Sequence, residues 1–139
     1  MVNKFIFILY CFVTLLQYDL CSGVGLTEEM HDKKIITLEQ QDKGKEIHVK
    51  CGDLIEIKLE QMGGAGYQWY VDNLDKKHLE LLSEEAKAAA EGRIGAPVLG
   101  IWRFKATKKG STEIRMNHYR VWEGKEKAIE HFLIKLVVE

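Results

Sequence analysis

The sequence predicts an all-β domain, and two observations support this prediction. Short segments rich in β-branched, aromatic and aliphatic residues recur along the chain, and turns that contain glycine separate them. The only proline of the chain, Pro97, leaves the predicted strands free of a residue that cannot donate to a β-ladder. Several short strands at this spacing are typical of a sandwich or a barrel, and we expect a small β-sandwich.

The clearest strand covers residues 54–59, where Ile55, Ile57 and Leu59 form one apolar set with a period of two. This is the period of a strand with one buried face. Trp69 and Trp102 also lie within predicted strands, so we assign both side chains to the core. In order, the predicted strands are residues 34–40, 46–50, 54–59, 67–71, 99–106, 111–119 and 128–138.

Residues 83–91 depart from this β pattern. Their sequence, Ser-Glu-Glu-Ala-Lys-Ala-Ala-Ala-Glu, places Ser83 where it caps a glutamate-rich first turn, and Gly92 follows where a helix would end. We expect a short helix or an ordered loop there, within a long connection between two strands.

The composition fits one domain and argues against a nucleic-acid partner. The chain has 139 residues and is 46% hydrophobic, which is ample for one globular core and short for two. Its formal net charge of -1 and its pI of about 6.5 provide no basic surface for DNA or RNA.

The start of the chain resembles a secretory signal peptide. Lys4 precedes an uncharged apolar run at residues 5–16, and small residues follow near a plausible cleavage site. The run is short for a membrane span, although an uncleaved signal anchor and a lipid-modified Cys21 are alternatives. We expect a signal peptide at residues 1–23 and, at residues 24–139, a secreted or endolysosomal domain that does not bind the membrane after cleavage.

Cys51 is the one cysteine certain to remain in the mature domain, so no disulfide framework is expected. As a nucleophile this cysteine would need a neighbouring base, for which the candidates are His48, His78, His118 and His131. It lies in no known nucleophile motif, and we favour a small buried structural cysteine.

No pattern in the sequence supports an enzyme, a metal site or a cofactor. The histidines are scattered without the spacing of a zinc site, so we interpret them as surface or packing residues. The glycine-rich residues 63–66 lack the lysine and hydroxyl residue of a phosphate loop and do not begin a helix. No paired carboxylates and no Ser/His/Asp set can be assigned from spacing.

Three segments are candidate binding loops, at residues 62–66, 95–100 and 119–124. The first contains three glycines and lies between two predicted strands, so its bare backbone can approach another surface closely. In the third, Trp122 stands beside charged residues and a glycine turn, as an exposed binding anchor does. A tryptophan folded back on the core is the alternative for this residue.

These loops and the strands around them resemble the chagasin family of inhibitors of papain-like cysteine proteases, over residues 34–138. The best match is Gly-Asp-Leu-Ile-Glu-Ile at residues 52–57 with Gly-Tyr-Gln-Trp at residues 66–69, where the family has Asn-Pro-Thr-Thr-Gly-Tyr/Phe-x-Trp. A second match is Trp-Arg-Phe-Lys-Ala at residues 102–106, which in the family follows a Gly-x-Gly-Gly loop. A third is Tyr-Arg-Val-Trp at residues 119–122, where the family reads Arg-Pro-Trp or Arg-Pro-Phe.

The loops depart from the family pattern more than the scaffold does. Of the first motif only Gly66 remains, and residues 62–65 read Met-Gly-Gly-Ala in place of Asn-Pro-Thr-Thr. In the second loop Gly95 is kept, while residues 97–98 replace glycines. In the third, Val121 replaces the proline.

The resemblance implies an immunoglobulin-like β-sandwich that inhibits papain-like cysteine proteases reversibly. Three loops at one end would form a wedge, with the middle loop (residues 62–66) over the catalytic cysteine of the protease and the flanking loops (residues 95–98 and 120–122) gripping the two sides of the cleft. We expect a monomer without a cofactor or a metal, and the alternative is a non-inhibitory adhesion or recognition module on the same scaffold. The implied protease-binding residues are Met62, Gly63, Gly64, Ala65, Gly66, Gly95, Ala96, Pro97, Val98, Arg120, Val121 and Trp122.

Overall fold

The computed structural model describes residues 33–88 and 97–139, and these residues form two four-stranded β-sheets. The predicted all-β sandwich is confirmed. Within the described ranges no helix is long and apolar enough to span a bilayer. The strands are β1 (Ile35–Leu38), β2 (Glu46–Val49), β3 (Leu54–Gln61), β4 (Gln68–Asp72), β5 (Leu79–Ala88), β6 (Val98–Ala106), β7 (Gly110–Tyr119) and β8 (Glu130–Val138), and short 3-10 helices lie at Gln40–Asp42, Gly63–Ala65 and Lys125–Lys127.

The chain alternates between the two sheets from β1 to β5, after which β6 stays in the sheet of β5, and β7 and β8 both lie in the other sheet. One sheet has the strand order β1-β3-β6-β5 and the other has the order β2-β8-β7-β4. The first two strands are short and parallel to their neighbours, β1 to β3 and β2 to β8, whereas the remaining pairs are antiparallel. The connection from β3 to β4 therefore crosses from one sheet to the other.

The core lies between the sheets, and in β3, β7 and β8 it is built from alternate residues. Ile55, Ile57 and Leu59 are at most 1% exposed, so the predicted inward face of β3 is confirmed. Trp69 and Trp102 are 1% and 2% exposed, which confirms their assignment to the core. Both sheets contribute to one cluster of buried side chains, as expected for a sandwich whose inner faces interdigitate.

The segment predicted as a short helix or an ordered loop at residues 83–91 is a strand as far as the structure describes it. In β5, Leu79 stands opposite Ala106 of β6, and Ala88 stands opposite Val98. An isolated helix of about nine residues is marginal in water, whereas the ladder to β6 satisfies the backbone and buries Leu79. The helix prediction is therefore wrong, because a tertiary partner outweighs local propensity.

Arg103 links β5 to the middle of its sheet. Its Nη1 donates a hydrogen bond to Glu85 of β5 at 2.5 Å, and its Nε donates to Glu56 of β3 at 2.8 Å. The hydrogen bond from Arg103 lowers the pKa of the Glu85 carboxyl from its usual value. Glu85, one of the glutamates of the predicted first helical turn, thus belongs to a set of ion pairs across the three neighbouring strands β3, β6 and β5.

Cys51 lies in the turn between β2 and β3 and packs against the core. In the full chain it is disulfide-bonded, whereas the expectation of no disulfide framework concerned the mature domain after cleavage. That expectation counted Cys51 alone in the mature domain, and the other two cysteines of the chain, Cys11 and Cys21, lie outside the described residues. A cysteine held in a disulfide carries no free thiol for nucleophilic chemistry.

Replacing Cys51 by serine is expected to leave intact the protease inhibition that the resemblance implies, and to lower the stability of the uncleaved chain, in which the disulfide is present. The turn that holds Cys51 lies at the start of β3, about 20 Å along the strand from its other end, where the candidate loops begin. Losing a disulfide typically costs about 2–4 kcal/mol of unfolding free energy. Thermal unfolding and a papain titration of Cys51→Ser check both parts. Loss of inhibition with an unchanged circular dichroism spectrum would contradict the expectation.

Candidate functional site

The strand register brings three connections to one end of the sandwich. Gln61 at the end of β3 stands opposite Val98 at the start of β6, and Gln68 at the start of β4 stands opposite Tyr119 at the end of β7. The first loop (residues 62–67) and the third loop (residues 120–129) therefore leave the sheets on the same side, where the strand ends Ala88 and Val98 that flank the second loop (residues 89–97) also lie. We call this side the binding end.

The predicted site residues fall on this end where the structure describes them. Met62, Val121 and Trp122 are 63%, 62% and 68% exposed, which is uncommon for three large apolar side chains grouped together. Pro97 is exposed at the end of the second loop, whereas Val98 is the first residue of β6. Gly95 and Ala96 lie outside the described residues.

The first loop is a short 3-10 turn whose base is fixed by Trp69. The amide of Ala65 donates to the carbonyl of Met62 at 3.0 Å, which closes the turn. At the base, the amide of Trp69 donates to Oε1 of Gln61 at 3.3 Å, and the Trp69 indole Nε1 donates to the carbonyl of Glu60 at 2.9 Å. The glycine-rich first loop is thus held by its own hydrogen bonds and by a core residue.

Trp122 lies against the backbone of the first loop. Gly66 has a φ of +78°, a conformation that favours glycine, and a Cβ atom at this position would collide with the outer edge of the Trp122 ring. Of the two interpretations of Trp122, the exposed one is confirmed, because 68% of this residue is exposed. Only the outer edge of its ring packs on the bare backbone of Gly66. By contrast, a Cβ atom at Gly64 would meet no atom within 4 Å.

A layer of aromatic rings lies beneath the loops. The ring of His118 stacks on Trp69 with centroids 4.7 Å apart, and Tyr67 meets it edge-on at 5.7 Å. His118 is 3% exposed, which confirms a packing role for this histidine. Sequence reasoning did not assign Tyr67 and His118 to the site, since only the pairing of β4 with β7 brings them together.

The part of the binding end that the structure describes contains no candidate metal site. Across residues 33–88 and 97–139, no group of three or more His, Cys, Asp or Glu side chains could hold a metal ion. What this end offers is a narrow glycine-rich turn flanked by exposed apolar side chains. Such an arrangement can fill a cleft in another protein.

Comparison with known proteins identifies the family. The model described as chagasin family peptidase inhibitor I42 matches residues 48–136. The chain belongs to the chagasin family. The match covers all three loops and confirms the resemblance seen in the sequence.

Relatives of this chagasin-family protein agree with the assignment. Amoebiasin-2 of Entamoeba histolytica is 31% identical over 93 residues, which span 66% of this chain and 75% of amoebiasin-2. The crystal structure of a cysteine protease inhibitor from Entamoeba histolytica superposes with a TM-score of 0.69 at 24% identity, over 76% of this chain and 96% of that one.

Two further structures share the fold. The solution structure of amebosin gives a TM-score of 0.63 at 23% identity, over 76% of this chain and 98% of that one. The structure of PbICP-C in complex with falcipain-2 gives a TM-score of 0.56 at 16% identity, over 76% of this chain and 99% of that one. The predicted immunoglobulin-like sandwich of the chagasin type is confirmed.

Proposed function

We propose that this protein is a reversible inhibitor of papain-like cysteine proteases that fills the active-site cleft with the three loops of its binding end. The observation that carries the proposal is the glycine-rich turn between exposed apolar side chains on a chagasin-family domain. The similar structure from Entamoeba histolytica is itself a cysteine protease inhibitor, and PbICP-C is bound to falcipain-2.

The shape of the first loop suits entry into a narrow cleft. Its tip at Gly63–Ala65 carries no side chain longer than a methyl group, so the backbone can approach the catalytic residues of the protease. The tip is a 3-10 turn, so its peptide bonds are not presented as an extended strand. The protein then blocks the cleft by occupying it, and no covalent step is required.

The flanking side chains supply apolar contact area. Met62 directly precedes the tip, Trp122 packs on Gly66 just after it, and both side chains are mostly exposed in the free protein. A tryptophan buries a large surface on binding and loses little conformational freedom, which makes it an effective anchor. Burial of these side chains against the walls of the cleft would stabilise the complex.

Nanomolar to micromolar concentrations of the mature domain are expected to inhibit papain reversibly and to leave trypsin unaffected. The reason is that the proposed wedge fits the cleft of a papain-like protease and offers no bond for a serine protease to attack. Residual activity is measured against inhibitor concentration, and dilution of the complex tests reversibility. Full papain activity at micromolar inhibitor would exclude the proposed function.

One observation favours a second function, a non-inhibitory recognition module on the same scaffold. Residues 62–65 keep none of the Asn-Pro-Thr-Thr pattern typical of the family's first loop. A binding end that had diverged to another partner would retain its fold and lose protease inhibition. The papain titration separates the two functions.

We also propose that the protein acts as a monomer, either secreted or in an endolysosomal compartment. The support is the signal-like composition of residues 1–23. Fractionation of cells and medium, with detection of the mature chain, tests the location.

A further inference from the structure

Arg120 joins the third loop to the first from inside the binding end. Its Nε donates a hydrogen bond to the carbonyl oxygen of Ala65 at 2.9 Å, between residues 55 positions apart in the chain. Its guanidinium carbon lies 4.4 Å from the centroid of the Tyr67 ring and 5.9 Å from that of Trp122. Its Nη1 donates to Oε1 of Glu123 at 3.2 Å.

We propose that Arg120 is a positioning residue, which fixes the first loop for insertion into the cleft and does not itself bind the protease. This inference rests on the proposed function. It assigns different roles to two residues of the third loop. Arg120 is directed inward and holds the first loop, whereas Trp122 is directed outward and is available to a partner. The first and third loops would then enter the cleft as one preassembled unit.

The contacts of Arg120 explain why it is poorly placed to bind a partner. Its charge is balanced by Glu123, one face of its guanidinium is covered by Tyr67, and its side chain is 31% exposed. A protease carboxylate that drew the guanidinium out of this position would break the hydrogen bond to Ala65 or the pair with Glu123. Either change would release the first loop or expose an unbalanced carboxylate.

The composition of the first loop explains why it needs such a contact. Gly63, Gly64 and Gly66 lose more conformational freedom on ordering than any other residue type. A loop that is ordered before binding avoids that loss at the moment of association. If removal of Arg120 left about a tenth of the molecules with a binding-competent loop, the inhibition constant would rise about tenfold.

Two variants and one matched control test the proposal. Arg120→Ala removes every contact, and Arg120→Lys keeps the positive charge but lacks the Nε–H and the planar group. The control is Arg115→Ala, because Arg115 is an arginine of β7 that also pairs with a glutamate, Glu113, at 2.6 Å. The measurements are association and dissociation rates with papain at several salt concentrations, and amide relaxation of the free proteins by NMR.

We expect both Arg120 variants to inhibit papain about tenfold less well, mainly through slower association. In the free variants the amides of Ala65 and Gly66 should become more mobile than in the wild type. The salt dependence of the association rate of Arg120→Ala should match that of Arg115→Ala, since each change removes one arginine that is paired with a glutamate.

A direct contact with the protease would give a different pattern. Arg120→Lys would then retain most of the affinity, the loss in Arg120→Ala would appear in the dissociation rate, and the loop amides would stay rigid. Any of these results would overturn the positioning role. If the wild type fails to inhibit papain, the proposed function fails, whereas the relaxation of the free proteins still decides whether Arg120 holds the loop.

Discussion

Gly64→Trp is expected to raise the inhibition constant against papain about a hundredfold, which corresponds to about 3 kcal/mol of binding free energy. Gly64 lies at the tip of the first loop, where the proposed cleft leaves almost no room for a side chain. The fold itself should accept the tryptophan, because a Cβ atom at this position meets no neighbour within 4 Å. Inhibition assays and circular dichroism measure the two effects.

Gly64→Ala is the matched control for this change. Unlike Gly66, Gly64 has no positive φ, so a side chain there brings no backbone strain. The alanine variant should fall between the wild type and the tryptophan variant, since the effect depends on bulk. Equal inhibition by all three proteins would show that the first loop does not enter the cleft.

Trp122→Ala is expected to weaken protease binding by about 2 kcal/mol or more, the usual scale for a central aromatic anchor. The 68% of Trp122 that is exposed in the free protein is available for burial against the protease. The melting temperature should change little, because only the edge of the ring packs on Gly66. Inhibition constants and thermal unfolding of the same samples provide both values.

Trp122→Phe is the control for shape at this position, since it keeps an aromatic ring on the loop and should recover part of the lost affinity. A large fall in melting temperature with unchanged inhibition would identify Trp122 as a structural residue. In that case the apolar contact of the third loop would have to come from Val121, which is 62% exposed.

The strands were predictable where one face of a strand is buried. Ile55, Ile57 and Leu59 point into the core with the period that the sequence shows. β5 was not predictable in this way, because it is an edge strand whose residues after Leu79 are largely exposed. Without an alternating pattern, its alanine and glutamate residues carried only a local helix preference, which β6 overrides.

The sequence predicted which loops form the site, but not the directions and contacts of their side chains. The family-like motifs located the first and third loops, and the register of β3, β4, β6 and β7 brings them to one end. Whether Trp122 would be exposed depended on the backbone of Gly66, which lies far away in sequence. The inward direction of Arg120 likewise depends on its hydrogen bond to the carbonyl of Ala65. A contact between residues so far apart in the chain cannot be predicted from a local sequence pattern.

The place of β8 in its sheet determines when the domain can fold. β8 is the last strand of the chain, yet it lies between β2 and β7. The early strand β2 therefore has no neighbour until residues 130–138 have been synthesised. Because native pairing joins residues so distant in sequence, folding should be slow and should finish only after residues 130–138 have left the ribosome. A chain shortened before β8 would lose an inner strand of the sandwich and expose the apolar faces on both sides of it.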